Sequence, residues 1–152
     1  MFGTQGAFYF SHVAGLRRAA PAWRAFRVAP QVCGTGLLGA NASVQTVAGH
    51  VATSWQAQPM PNAGASATAV SITVDVPPGV AASVVVPLGC GGNTSGTAVA
   101  EGGAVVWHAS SGLVPRAGIA SAAQVHDGAA VQFELLSGSY AFETKPVAIS
   151  RR

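Results

Sequence analysis

Val70-Ser71-Ile72-Thr73-Val74-Asp75-Val76 alternates a β-branched apolar residue with a small polar or acidic one. That period of two sends one set of side chains to a core and the other to water. Pro77-Pro78-Gly79 follows, and two fixed φ angles before a permissive glycine reverse a chain efficiently. Residues 80–87 then run back as a second strand, so the stretch from 68 to 87 reads as a hairpin.

The same texture extends in both directions. Strand-like runs at 38–47, 49–56, 97–107 (broken at Gly102-Gly103), 119–125, 129–136 and 139–144 are separated by turn residues, the spacing of an antiparallel β-sandwich. Ala57 to Ala69, with Pro59 and Pro61 among small residues, reads as a loop. Alternation predicts burial of Val70, Ile72, Val74, Val84, Val86, Val131, Phe133 and Tyr140, and exposure of Asp75 and Asp127. Upstream of Gly34-Thr35-Gly36 the period changes. Phe26 and Val28 flank Arg27 as in a short half-buried strand between Pro21 and Pro30. Before that, Phe2, Gly6, Tyr9, Phe10, Val13 and Leu16 recur at steps of three and four, which predicts one helix over residues 2–16, outside the sandwich core and stopped by Gly15 and the arginines after it.

A chain of 152 residues holds one domain and a fragment of another. Hydrophobic residues make up 49% and charged ones only 9%, so little charge is available to cover a free surface. No run approaches the roughly 18 apolar residues of a membrane-spanning helix, and no membrane partner is expected. The net charge of +3 is small, and Arg17, Arg18, Arg24 and Arg27 lie close together without forming a long basic stripe, which argues against nucleic acid as a partner. Residues 1–74 contain no acidic side chain. This is the bias of an organellar transit peptide, but it extends far into strand-like sequence, beyond any presequence. Cys33 and Cys90 have no metal-ligand spacing and could form a disulfide in an oxidising compartment, a pairing that sequence leaves open. Asn41 and Asn93 fit the glycosylation acceptor pattern, which matters only in a secreted chain.

The acids are Asp75, Glu101, Asp127, Glu134 and Glu143, and a glycosidase would need two of them facing each other across a cleft. Each sits beside a turn or on the polar face of a strand, where a solvated carboxylate is expected. His12, His50, His108 and His126 are scattered, without the spacing of a metal site. No serine stands in a Gly-x-Ser-x-Gly elbow and no glycine run builds a phosphate loop. The sequence calls for no metal and no cofactor. Trp55 and Trp107 remain as candidate carbohydrate-binding residues, because exposed aromatics stack on sugar rings. Core packing is the stronger reading for both.

Several segments, in order, resemble the C-terminal part of bacterial-type α-L-rhamnosidases. Met1-Phe2-Gly3-Thr4-Gln5-Gly6-Ala7-Phe8-Tyr9-Phe10 with Ala14-Gly15-Leu16 is similar to the last helix of that family's six-hairpin α/α barrel, which an Asn-His-x-Met-Phe-Gly stretch introduces. Residues 21–30 resemble the strand and closing proline that link barrel to sandwich. Asn41-Ala42-Ser43 with Gly49-His50-Val51-Ala52-Thr53-Ser54-Trp55 resembles the first sandwich hairpin. Val74-Asp75-Val76-Pro77-Pro78-Gly79 and the strand ending at Pro87 resemble the next, and Ser137-Gly138-Ser139-Tyr140-Ala141-Phe142 the last strand. The loops at 57–69 and 88–96 depart from the pattern.

The resemblance implies residues 1–36 as the terminal helix and linker strand of a truncated barrel, and 37–148 as the C-terminal sandwich. Family enzymes are inverting glycosidases with both working carboxyls in the barrel, upstream of the stretch matched by Met1. No catalytic residue carries over. The implied role is a non-catalytic accessory domain of an enzyme that hydrolyses terminal α-L-rhamnosides, in a shortened gene product, with the barrel as partner and a rhamnose-containing glycan as a further one. The competing reading is a stand-alone carbohydrate-binding sandwich that uses exposed aromatics.

Overall fold

The computed structural model describes residues 3–59, 68–90 and 97–146. A short α-helix, α1 (Gly3–Phe8), continues into a π-helical turn, Tyr9–Val13, closed by the Ala14 amide on the Tyr9 carbonyl at 2.9 Å. Then come β1 (Leu16–Arg18), a 3-10 turn at Pro21–Trp23, β2 (Ala25–Val28), β3 (Gly39–Thr46), β4 (Gly49–Pro59), β5 (Thr68–Val76), β6 (Ala81–Pro87), β7 (Thr97–Glu101), β8 (Ala104–His108), β9 (Gly112–Leu113), β10 (Ile119–Val125), β11 (Ala130–Leu135) and β12 (Gly138–Pro146). A five-stranded sheet in the order β1-β2-β6-β11-β10 packs on a seven-stranded sheet in the order β3-β4-β5-β12-β7-β8-β9. The fold is a β-sandwich.

The expected strands are present, and the eight residues read as core are buried while Asp75 and Asp127 are exposed. Phe133 and Phe142 stack between the sheets with ring centroids 4.8 Å apart. The decisive stretch is arranged differently from the expectation. β5 and β6 do not pair: β5 lies between β4 and β12, whereas β6 lies between β2 and β11. Pro77-Pro78-Gly79 is therefore a crossing from one sheet to the other. Neither proline has an N–H to give a ladder, and the apolar face shared by Val74, Val76, Val84 and Val86 is satisfied across the core rather than side by side.

Three further differences have local causes. The helical period ends at Val13, because Gly15 adopts φ +77 where a Cβ would run into the backbone of Ala29 and Pro30. Leu16 then pairs with Val28 as a strand instead of completing the helix. Phe2 lies outside the described residues. β2 runs parallel to β6, a departure from an all-antiparallel sandwich, and it makes residues 16–28 part of the five-stranded sheet. β4 continues to Pro59 and β5 begins at Thr68, so both ends of the loop expected over residues 57–69 are strand; residues 60–67 lie outside the described residues.

The helical segment is also tied to the core from which it was expected to stand apart. Phe10 and Val13 pack against the core, and the Trp55 indole N–H donates to the Val13 carbonyl at 2.8 Å. At the start of β12, the central strand of the seven-stranded sheet, Tyr140 forms a corner. Its phenol lies 3.0 Å from the Gly118 carbonyl and 2.9 Å from that of Leu136, the kind of bond that pins a strand start in sandwich folds. Gly118, at φ +86, leaves the ring room that a Cβ would take.

Candidate functional site

Each sheet has an outer face, and the carboxylates are divided between them. Asp75 and Glu143 lie on the outer face of the seven-stranded sheet, where β5 pairs with β12. Glu143 faces Ser71 and Asp75 faces Ser139, four residues apart, or about 13 Å along a strand. Glu143 is paired with Lys145 at 3.3 Å. Glu134 lies on the outer face of the other sheet and accepts a hydrogen bond from the Gln132 amide at 2.7 Å. Asp127 stands in the β10–β11 turn, exposed and at φ +54.

Glu101 corrects the expectation of a solvated carboxylate. Its side chain is only 12% exposed and forms an ion pair with the Arg116 guanidinium, whose sequence position far along the chain gave no hint of the contact. All five acids are among the described residues, and no two face each other across a cleft. Among the described residues no group of three or more His, Cys, Asp or Glu gathers where a metal could be held.

The two tryptophans are in the interior. Trp55 is 1% exposed and Trp107 3%. Trp55 occupies the inner face of β4 with Val51 and Thr53, and its one polar atom is used by Val13. Trp107, on β8, lies opposite Val99 and Leu113. Alternation turns Trp55 toward the other sheet, whereas on β8 the consecutive Val106 and Trp107 are both buried, opposite a register irregularity between Val99 and Ala100.

Cys33 and Cys90 are joined by a disulfide. It fastens the segment leaving β2 to the segment leaving β6, beside a largely apolar recess of about 400 Å³ lined by Pro30, Val32, Val85, Pro87 and His126. Asn41 is exposed on β3; Asn93 lies outside the described residues.

Around the N-terminal helical segment lie groups that the sequence shows only as separate features. The helical segment lies against the edge strands of both sheets. From β1, the Arg17 Nε–H donates to the Ser11 carbonyl at 2.8 Å, and on the other side Tyr9, Phe10 and Val13 form a groove with Ala40 and Ala42 of β3. Phe8 and Tyr9 are 52% and 61% exposed. Register places Arg17 directly beside Arg27, and Arg18 and Arg24 are exposed next to them.

A model of the bacterial α-L-rhamnosidase C-terminal domain matches residues 15–101, more than half of the chain. The chain belongs to this family. Among solved structures, the α-L-rhamnosidase of Dictyoglumus thermophilum matches with a TM-score of 0.70 and 24% identity, over 95% of this chain and 14% of that one. The α-L-rhamnosidase of Streptomyces avermitilis, solved with L-rhamnose, matches with a TM-score of 0.65 and 24% identity, over 95% of this chain and 11% of that one. At that identity the likeness is one of fold. The chain thus spans about one-seventh or less of the rhamnosidases it matches. No curated protein sequence matches it.

Proposed function

We propose that this family member is a non-catalytic accessory module of a larger α-L-rhamnosidase-type glycosidase. In this reading residues 37–148 are the C-terminal sandwich, and residues 1–36 are the end of the helical catalytic barrel and the linker strand, woven into the sandwich through β1 and β2. The parent activity is hydrolysis of terminal α-L-rhamnosides, and a rhamnose-containing glycan is bound by the barrel rather than by this chain. The observation that carries the reading is the separation of the carboxylates. An inverting glycosidase holds its acid and base about 6.5–9.5 Å apart around one water, whereas here the carboxylates are divided between opposite faces or committed to other partners.

The test is an assay of the purified chain on an aryl α-L-rhamnoside. No turnover is expected at any enzyme concentration. Turnover that survives repurification and is abolished in Glu101→Gln or Glu134→Gln would refute the non-catalytic assignment.

A further inference from the structure

Strand alternation sends Val84 and Val86 of β6 into the core and turns Val85 outward, opposite Gln132. Val85 is nevertheless buried, and so is Ala130, which faces the same way on β11. The chain leaving β2 closes over them: Pro30, Val32 and Cys33 line one recess together with Val85, Pro87 and Ala130. Val32 itself belongs to the core.

That chain is held unevenly. The amides of Ala29 and Gln31 donate to the carbonyls of Gly15 at 2.9 Å and His12 at 3.1 Å, and the Leu38 carbonyl accepts from the Ala57 amide at 2.9 Å. Between these points, among the described residues, the backbone of residues 32–37 makes no hydrogen bond to the helical segment or to a strand. Its bonds run locally, through the Thr35 hydroxyl to Val32 and Leu37. Gly34 and Gly36 take left-handed backbone, at φ +79 and +69, with open space around both, and glycine moves between left- and right-handed backbone at little steric cost. What fastens the stretch is the bond from Cys33 to Cys90. The far side of that bond is anchored independently, since Leu88 is buried and its amide donates to the Ala129 carbonyl at 2.9 Å. Cys33 is exposed, and exposed disulfides are the labile ones, open to an attacking thiolate.

We infer that Cys33–Cys90 is a reducible clasp: reduction by a dithiol frees residues 32–37 as a flap and uncovers the apolar patch at Val85 and Ala130, while both sheets stay folded. One thiolate of the dithiol attacks the Cys33 sulfur, the S–S bond breaks, and Cys90 leaves as a thiolate that takes up a proton. The second thiol then displaces Cys33 from the mixed disulfide. The dithiol ends as its own disulfide, and the protein has gained two electrons and two protons. The flap is the part that moves, because a stretch with few contacts opens locally at the lowest free energy, whereas Cys90 stays with Leu88. The inference goes beyond the accessory reading and stands or falls without it.

The experiment compares nuclear magnetic resonance spectra of this chain before and after dithiothreitol, without denaturant, and checks by mass spectrometry that two hydrogens are gained. The Val32 methyl signals and the Gly34 and Gly36 amide signals should move to the positions of an unstructured chain, and the Val85 methyl signals should shift. Those of Ile72, Phe133 and Phe142 should stay in place. Cys33→Ser/Cys90→Ser should give the reduced spectrum without reductant and ignore dithiothreitol, and re-oxidation should restore the first spectrum in the parent chain alone. If the bond is reduced and Val32 keeps its shifts, packing holds the segment and the inference fails. Loss of the dispersed Ile72 and Phe133 signals on reduction would make the bond a support of the whole sandwich, and a bond that yields only in urea would be closed to dithiols; either result overturns the clasp.

Discussion

Tyr140 shows how one side chain can be both a packing element and a polar tie. Its ring lies nearly parallel to Phe142, with centroids 6.2 Å apart, while its hydroxyl holds two carbonyls of the β9–β12 region. Burial, and secondarily the nearby charge of Glu101, raises the phenol above its usual pKa of 10.0. The folded state therefore keeps this proton after the unfolded chain has lost it. The contribution is fully present below the unfolded pKa and is lost as pH rises through the higher folded value. Urea denaturation followed from pH 8 upward should show stability falling above about pH 10, and Tyr140→Phe should remove that part of the decline. At neutral pH the same variant should cost about 1 kcal/mol for the lost hydrogen bond. Gly118→Ala should cost more, about 1–3 kcal/mol, because it forces a left-handed backbone on alanine and presses a methyl onto the Tyr140 hydroxyl.

At the scale of elements, periodicity made strand identity legible and left partnership obscure. The alternation of Val70 to Val76 states which face of β5 is apolar, but an apolar face is equally well buried by a neighbour in the same sheet or by a strand across the core. Pro77-Pro78-Gly79 is compatible with either, and the structure uses it as a crossing. The short β1 and β9 were illegible for a related reason: Leu16–Arg18 and Gly112–Leu113 are too brief to display a period, and their pairing depends on distant strands. The two cysteines likewise gave no register. Their bond ties elements separated by 57 residues, and closing a loop of that size stabilises a fold by about 4 kcal/mol in the chain-entropy account. Urea unfolding with and without a reductant should show a difference of that order, and equal midpoints would mean that the sheets hold the two segments without it.

For the molecule as a whole, the separation of the carboxylates was readable, and what surrounds the arginines and the exposed aromatics was not. Scattered acids on polar strand faces were visible as isolated groups, and the structure keeps them apart. Only the pairing of Glu101 with Arg116 was hidden, since it joins the β7–β8 turn to a segment well downstream. The burial of Trp55 followed from alternation, whereas Trp107 is buried next to an equally buried Val106 on β8, a pattern that alternation does not give. The setting of the arginines and of the exposed aromatics was hidden in plain sequence: Arg17 and Arg27 become neighbours only through the β1–β2 register, and the exposure of Phe8 and Tyr9 depends on where the helical turn meets the two edge strands. A large apolar contribution to a free surface favours association. In isolation the chain should self-associate at high concentration, and Phe8→Ala/Tyr9→Ala should shift its sedimentation toward monomer.

In the function proposed above, the module serves a catalytic domain without sharing in catalysis. The most direct measurement heats the Dictyoglumus thermophilum α-L-rhamnosidase, stripped of its matching segment, with and without this chain, and then assays the residual hydrolysis of an aryl α-L-rhamnoside. The expected result is that added chain preserves activity at temperatures where the stripped enzyme alone is inactivated, while the chain by itself hydrolyses nothing. Equal loss of activity with and without the chain, or turnover by the chain alone, would contradict the account.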